Sequence, residues 1–193
     1  MEKRIKKSHY HADMLSVEEA RENILSKFSK LETEKTPILK SLGSVISEDI
    51  FSEIDVPPWN NSAMDGYAVI KNDLLNASEE NLIFLKVVEE IAAGQIPNKT
   101  LINGETSRIM TGAPIPQNAD AVVPFEDTNE LERKSLKKIG IKINVDHFEN
   151  IRKKSEDIKK GSIVLKKGTI ITAASIGLLA SIGFNIVPTI RKP

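Results

Sequence analysis

The hydrophobic pattern predicts a helix near the start of the chain. Ser16 and Glu19 stand three positions apart, which is the spacing of a capping box at a helix N-terminus. Apolar residues then recur at helical spacing on one face: Ala20, Ile24, Phe28 and Leu31. The pattern therefore predicts a helix over residues 16–31 whose apolar stripe is a packing face.

After this helix the chain changes to patterns that are typical of β-strands. Residues 45–56 alternate loosely, which predicts one long strand with a wet face. Pro57 and Pro58 end it, because neither residue can donate a backbone hydrogen bond. Short β-rich runs then alternate with glycine and proline, as in a small barrel or a coiled sheet. These runs are residues 67–70, 82–91, 107–110, 120–127 and 138–145.

The last section predicts two strand-like runs within residues 162–171 and then a helix. Thr172 is placed to cap a helix over residues 173–182, and Gly183 suits the left-handed position that ends one. Residues 184–190 follow as a closing strand.

One uncharged stretch, residues 168–190, is long enough to be considered as a membrane span. Gly183 and Pro188 interrupt it, and several Ser, Thr and Asn residues lie within it. A buried helix followed by a buried strand is the better interpretation. The basic N-terminus lacks the apolar segment of a secretory signal, so a cytoplasmic protein is expected.

Composition and charge exclude several classes of function. Lys plus Arg and Asp plus Glu are equal at 27 each, so no net field attracts nucleic acid or an anionic membrane. The absence of cysteine excludes disulfides, thiolate metal sites and a cysteine nucleophile. His9 and His11 lie in a polar start of the chain, where a solvated tail is favoured over a metal site.

These patterns predict a mostly β fold with a few helices. Residues 1–13 are expected to form a flexible tail. Residues 14–57 and 146–193 are expected to pack together as an elongated domain with an irregular, coiled or bifurcated sheet. Residues 58–145 are expected to be an inserted, small β-barrel-like domain.

Candidate chemistry is confined to turn-rich segments, and the first is residues 57–69. Asp65-Gly66 is a tight-turn signal, so a turn with a helpful aspartate is the simplest interpretation. Trp59 and Met64 are costly to expose in a mere connector, which indicates that something packs on this loop.

Two further segments combine small, polar and charged residues. In residues 108–123, Thr111 and Gly112 would present a hydroxyl and bare backbone amides to an anion, although a plain loop fits equally well. In residues 150–161, Arg152 precedes Glu156 and Asp157, with several lysines around them. That segment is either a solvated charged turn or an anion clamp with a magnesium ligand.

Glycine-rich nucleotide motifs, zinc motifs and serine-hydrolase motifs are absent from the sequence. Composition and spacing alone therefore predict a soluble, mostly β protein with three candidate loops, and they name no function.

The same three segments resemble the signature blocks of the molybdopterin molybdenumtransferases, the family of bacterial MoeA proteins and the gephyrin E domain. The blocks read PPWNNSAMDGYAV, RIMTGAPIPQNADAVVPFED and NIRKKSEDIKKG, and the resemblance runs from about residue 14 to the end. It implies insertion of molybdate into adenylylated molybdopterin with Mg²⁺ as cofactor. It also implies a homodimer in which these loops act in the partner subunit's active site, and contact with a molybdopterin-adenylylating enzyme.

Site residues carried over by matching position are Asp65, Thr111, Arg152 and Asp157. The resemblance implies that Asp65 and Asp157 are catalytic and hold Mg²⁺, and that Thr111 and Arg152 bind substrate. Ser155 departs from the family pattern, which has glycine there. If that position needs a positive φ, serine is mildly unfavourable.

The family continues beyond this sequence into a molybdopterin-binding α/β domain. We therefore expect the chain by itself to be inactive. The alternative is a catalytically inert module for dimerisation or scaffolding.

Overall fold

The structure, a computed structural model, describes residues 15–132 and 137–192. The tail predicted over residues 1–13 lies outside the described residues. Within them, two α-helices and eleven strands follow in chain order. The elements are α1 (Val17–Leu25), β1 (Thr33–Pro37), β2 (Ile50–Phe51), β3 (Asn61–Ser62), β4 (Gly66–Val69), β5 (Ile83–Ile91), β6 (Glu105–Ile109), β7 (Ala121–Pro124), β8 (Lys138–Ile141), β9 (Ile151–Arg152), β10 (Ile163–Leu165), α2 (Ala173–Ser181) and β11 (Ile186–Ile190).

The largest sheet has five strands in the order β7-β4-β6-β5-β8, and it curls like part of a barrel. All its pairings are antiparallel except β5 with β6, which is parallel. Its strands correspond to the β-rich runs that the sequence predicts, so the mostly β fold class is confirmed. One side of the sheet carries a core around Tyr67, Leu85 and Ile139, which are all buried.

Three two-stranded ribbons join early and late parts of the chain: β1 with β11, β2 with β10, and β3 with β9. A second core, with Ile46, Leu179 and Val187, lies among the first two of these ribbons and α2. The division of the chain at residues 57/58 and 145/146 stays a prediction.

The helix predicted over residues 173–182 is confirmed as α2. Thr172 and Ser175 form a reciprocal capping box, and Gly183 takes a φ of +90° at the other end. The closing strand is confirmed as β11. Among the described residues, no helix is long and apolar enough to cross a membrane, and the uncharged stretch contains a helix and a strand. The prediction that this helix is buried is wrong, because Leu179 is the single buried residue of α2.

The helix predicted over residues 16–31 begins as expected but ends early. Ser16 and Glu19 form the predicted capping box, and α1 ends at Leu25. The prediction of a packing face is wrong for the described part of the chain, because no residue of α1 is buried there. The side chains of Ile24 and Phe28 are 60% and 74% exposed. Most of the stability of a short helix comes from tertiary packing of its apolar face, so a helix without such packing is not stabilised beyond its first turns.

The single strand predicted over residues 45–56 is also wrong. Its pieces pair with different partners: Val45 bridges to Ile170, β2 pairs with β10, and Val56 bridges to Ile158. The chain bends between them, where the Ser52 hydroxyl donates a hydrogen bond to the Ile54 carbonyl.

Strand β1 is absent from the sequence prediction because its residues are polar and mostly exposed. Its position is set by β11, through five backbone pairs and a 2.7 Å contact between the hydroxyls of Thr36 and Thr189.

Gly66 allows β4 and β7 to approach each other. A Cβ atom at this position would lie 2.1 Å from the Val123 carbonyl oxygen, and its φ is not in the left-handed region. The Asp65-Gly66 pair therefore marks a close strand contact, where the sequence indicated a tight turn.

We predict that Gly66→Ala destabilises the protein severely, since two neighbouring backbones would have to separate. Gly177→Ala is the matched control, because a Cβ there meets no atom within 4 Å. This exposed helical position should gain about 0.5–1 kcal/mol from the same change. Urea unfolding of both variants tests the pair, and equal effects would contradict the steric argument.

Candidate functional site

The first two candidate segments are in direct contact. Asp65 Oδ1 accepts hydrogen bonds from the Thr111 backbone N–H and from its hydroxyl, both at 2.7 Å. The next residue, Gly112, takes a φ of +82°, and its N–H donates to the Ser62 carbonyl at 2.8 Å. The Thr111 hydroxyl and amide thus bind a carboxylate of the same chain.

The third segment joins the first through the β3–β9 ribbon. Asn61 pairs with Arg152 and Ser62 with Ile151. The N–H of Ala63 also donates to the Asn150 carbonyl at 2.9 Å. Asn61, the strand partner of Arg152, is therefore the neighbour of Ser62, whose carbonyl accepts from the Gly112 N–H.

Further hydrogen bonds hold the first and third segments side by side. The Lys154 N–H donates to Asn60 Oδ1 at 2.9 Å, and the Ser155 N–H donates to the Pro57 carbonyl at 3.0 Å. The Asp157 N–H donates to the Val56 carbonyl, also at 3.0 Å. We call the resulting unit the loop platform, formed by residues 57–65, 111–115 and 150–157.

Arg152 is paired with two carboxylates of its own loop. Its Nε donates to Glu156 Oε1 at 2.5 Å, and its Nη2 donates to Asp157 Oδ2 at 2.7 Å. These bonds, first to Glu156 and then to Asp157, raise the pKa of Arg152. All three side chains are between 35% and 50% exposed, so the cluster is open to a ligand.

Ser155 adopts a φ of +64°. The position where the family pattern has glycine therefore does take a positive φ in this chain. The serine side chain also bonds to Asp55, one of the contacts that lower the pKa of that aspartate, after the larger contribution of the Lys160 N–H. The serine is therefore tied into the turn.

Hydrogen bonding keeps Asp65 ionised. The Thr111 N–H and then its hydroxyl lower the pKa of Asp65, and the positive charge of Arg108 adds to the effect. The Asp65 carbonyl also accepts from the Phe125 N–H at 3.2 Å. The charge of this exposed carboxylate is thus preserved to low pH.

Arg108 is a residue that the sequence analysis did not single out. It lies opposite Tyr67 on the sheet, and its guanidinium donates to Glu130 Oε1 at 3.1 Å and to Glu90 Oε1 at 2.7 Å. It also stacks 4.5 Å from the Phe125 ring centroid. The strand that carries Arg108 is mostly polar in sequence, so no local pattern marked this residue.

The donor atoms only partly fit a magnesium ion. Among the described residues, no group of three or more His, Asp or Glu side chains is arranged to hold a metal. Asp65 and Asp157 each use one oxygen within their own cluster, which leaves one oxygen each for other ligands. Mg²⁺ is often bound by one or two carboxylates, with phosphate and water oxygens completing the octahedron. Each aspartate therefore has one oxygen to give to a metal whose other ligands are substrate and water oxygens.

Trp59 and Met64 remain 49% and 40% exposed. The described residues thus do not supply the packing that the sequence indicated for this loop. Trp59 lines an open apolar pocket of about 320 Å³ next to the loop platform. Its other lining residues are Ile96, Pro97, Pro114, Ile115 and Gln117.

The fold and the loop platform define a mostly β protein module in which hydrogen bonds join three polar loops. Residues 15–183 match the family model of the MoeA N-terminal region (domain I and II). This chain belongs to that family.

Relatives and solved structures agree with this assignment. The molybdopterin molybdenumtransferase of Staphylococcus epidermidis is 40% identical, and that of Staphylococcus aureus is 38% identical; each match covers 93% of this chain and 42% of the relative. A crystal structure of the molybdopterin biosynthesis MoeA protein from Pyrococcus horikoshii OT3 matches with a TM-score of 0.82 at 36% identity. That match covers 91% of this chain and 46% of the other. The chain therefore spans less than half the length of these relatives.

The contact between Asp65 and Thr111 makes stability depend on pH. Because the folded pKa of Asp65 is lowered, its contribution is present above the unfolded pKa and is lost as pH falls through the folded value. We predict that Thr111→Val lowers the free energy of unfolding at pH 7, and that its deficit relative to the original protein shrinks in acid.

Thr111→Ser is the matched control, since it keeps both donors, and it should follow the original protein. Urea unfolding at neutral and acidic pH measures all three proteins. A deficit of the valine variant that is the same at every pH would contradict the role of the ionised carboxylate.

Proposed function

We propose that this chain supplies the loop platform to the active site of a molybdopterin molybdenumtransferase. In this reaction, as the family resemblance implies, molybdate is inserted into adenylylated molybdopterin and AMP is released. The observation that carries the proposal is the hydrogen-bonded union of the three signature segments, in which Asp65 contacts Thr111 and Arg152 pairs with Asn61.

In this proposal Asp65 and Asp157 are the catalytic carboxylates. Each offers one oxygen to a Mg²⁺ ion whose other ligands are substrate phosphate and water. When bound, such an ion would offset the negative charge of a phosphate next to these carboxylates. Arg152 binds substrate directly, whereas Thr111, whose N–H and hydroxyl are bonded to Asp65, contributes to substrate binding by holding that carboxylate. Arg152 suits an anion because its planar guanidinium is oriented by Glu156 and Asp157 while the side chain stays 44% exposed.

The proposal places the chain in a homodimer, where its platform acts on a molybdopterin-binding domain of the other subunit. We also propose that the chain by itself does not complete the reaction, because the matched relatives are more than twice its length. A molybdopterin-adenylylating enzyme is the proposed source of the substrate, and the cytoplasm is the proposed location.

A complementation experiment tests the function. The chain is mixed with a second chain that carries the domains present only in the longer relatives, and insertion of molybdate into adenylylated molybdopterin is measured. Activity of the mixture, with none from either chain alone, is the expected result. Stable association without activity would favour the alternative of an inert scaffold.

Substitutions in the platform sharpen this test. We predict that Asp65→Asn and Asp157→Asn each lower the complemented activity by roughly tenfold or more, because a charged oxygen ligand of the proposed Mg²⁺ is lost. Asp146→Asn is the control, since that side chain is 95% exposed and lies outside the platform. Unchanged rates for both platform variants would remove the two aspartates from the active site.

The second candidate, an association module, is favoured by one observation. Helix α1 and the segment after it present apolar side chains that no described residue buries. Ile24 and Leu25 in the helix are 60% and 61% exposed, and Phe28, three residues after its end, is 74% exposed. Such a stripe is typical of a helix that packs on another protein surface.

We predict that the double change Ile24→Glu and Phe28→Glu lowers the self-association of the chain, because two charges would have to be desolvated in the interface. Asn23→Glu adds a charge to the same helix outside the stripe and should leave association unchanged. Light scattering after size-exclusion chromatography measures the mass of each protein. Equal masses for all three proteins would exclude α1 from the interface.

A further inference from the structure

Asn150 begins the third candidate segment and forms hydrogen bonds with both of the others. Its side-chain Nδ2 donates to the Val122 carbonyl at 2.9 Å, and Val122 belongs to the second segment, residues 108–123. Its backbone carbonyl accepts from the Ala63 N–H, also at 2.9 Å, and Ala63 belongs to the first segment, residues 57–69. All three signature segments are therefore joined at this asparagine.

The backbone conformation of Asn150 limits which residues can replace it. Its φ is +56°, in the left-handed region that most side chains avoid. Asparagine tolerates this region better than most residues, and glycine adopts it without strain. In this conformation the Asn150 carbonyl bonds to Ala63, and the next residue, Ile151, pairs with Ser62. The position therefore needs a residue that accepts a positive φ.

The side chain of Asn150 supplies a donor to a buried strand. Val122 in β7 is 0% exposed. Its N–H donates to the Glu149 carbonyl at 3.0 Å, so both backbone groups of Val122 bond to the residues that lead into β9. A buried carbonyl that loses its donor carries a desolvation cost. The amide of Asn150 thus fixes the start of the third segment against β7.

These contacts lie between two charged groups of the loop platform. Ala63 is two residues before Asp65, and Arg152 is two residues after Asn150. The bond between Asn150 and Ala63 therefore joins the two short stretches of backbone that carry these charged groups. A shift of the backbone at Asn150 would move one of them relative to the other.

We infer that Asn150 is a positioning residue of the proposed active site, which sets the spacing between Asp65 and Arg152 through its amide and its left-handed backbone. Its effect on activity rests on the proposed function, whereas its effect on the loop platform does not. The amide and the carbonyl of Asn150 are bonded to Val122 and Ala63, so its part in the reaction is indirect.

Asn118 offers a matched control within the same chain. Its φ is +71°, and its Nδ2 donates to the Leu101 carbonyl at 3.0 Å. Leu101 is 0% exposed, as Val122 is. Asn118 thus has the same backbone conformation and the same kind of side-chain bond to a buried residue, but it lies outside the loop platform. Loss of its amide should cost stability without loosening the platform.

Amide hydrogen exchange of the chain by itself tests the positioning. At neutral pH Asn150→Asp keeps the side-chain shape and tolerates a positive φ, but its carboxylate has no hydrogen to donate to Val122. The exchange rate of the Ala63 N–H is taken relative to that of the Ile190 N–H, which bonds to the Val45 carbonyl far from the platform.

We expect this ratio to rise roughly tenfold in Asn150→Asp and to stay unchanged in Asn118→Asp. Because both rates are read from one protein, a uniform loss of stability cancels in the ratio. An equal ratio in the two variants would overturn the inference.

Two further variants separate the amide from the backbone angle. Asn150→Gly keeps the positive φ without a donor or a charge, so it should raise the exchange ratio as Asn150→Asp does. Asn150→Ala loses both features and should raise the ratio further, because alanine disfavours that φ. Protection of Ala63 in Asn150→Gly equal to that in the original protein would overturn the role of the amide. Urea unfolding shows whether each variant is folded.

The complementation assay tests the effect on the reaction. We expect Asn150→Asp to lower the complemented kcat by roughly tenfold or more, because small displacements of groups that contact the substrate slow the reaction steeply. Asn118→Asp should keep the rate of the original protein, although it loses a bond of the same kind. Equal kcat values for the two variants would overturn the role of Asn150 in the reaction. If the original protein gives no complemented activity, the proposed function fails, and the exchange ratio still decides whether Asn150 positions the platform.

Discussion

The backbone of Ser62 is the point on which the site depends. Its N–H donates to the Ala113 carbonyl at 3.0 Å, and its carbonyl accepts from the Gly112 N–H at 2.8 Å. On its other edge the same short strand pairs with Ile151. Ser62 is 1% exposed, so water cannot satisfy its backbone groups, and they must form hydrogen bonds within the chain. This requirement brings three segments together that lie up to 90 residues apart.

The charged groups of the platform are hydrogen-bonded yet accessible. Asp65 is bound by Thr111, and Arg152 by Glu156 and Asp157, so each charge has a partner before any ligand arrives. Exposed pairs of this kind add little stability, because water screens them. Their contribution is geometric: they hold functional groups in fixed directions. A ligand or metal that replaces one partner then meets a preorganised site.

Sequence patterns identified the elements that depend on local chemistry. The caps at Ser16 and Thr172 and the end of α2 at Gly183 were predictable, because they follow from neighbouring residues. The strand over residues 45–56 was not, since its pieces exchange partners, and neither was the polar strand β1, which β11 positions. The candidate loops could be found by their small and charged residues, whereas Arg108 gained its significance only from Glu90 across the sheet and from Glu130.

By itself, the sequence determined the mostly β character of this protein, its helix boundaries at the capped ends and the three segments that mark its family. Those features are encoded in spacing and residue type along short stretches of chain. Only the tertiary structure decided that Asp65 binds Thr111, that Arg152 is paired, and that the stripe of α1 is left open. The reason is that such contacts join residues far apart in the chain, and their partners are chosen by the packing of the whole domain.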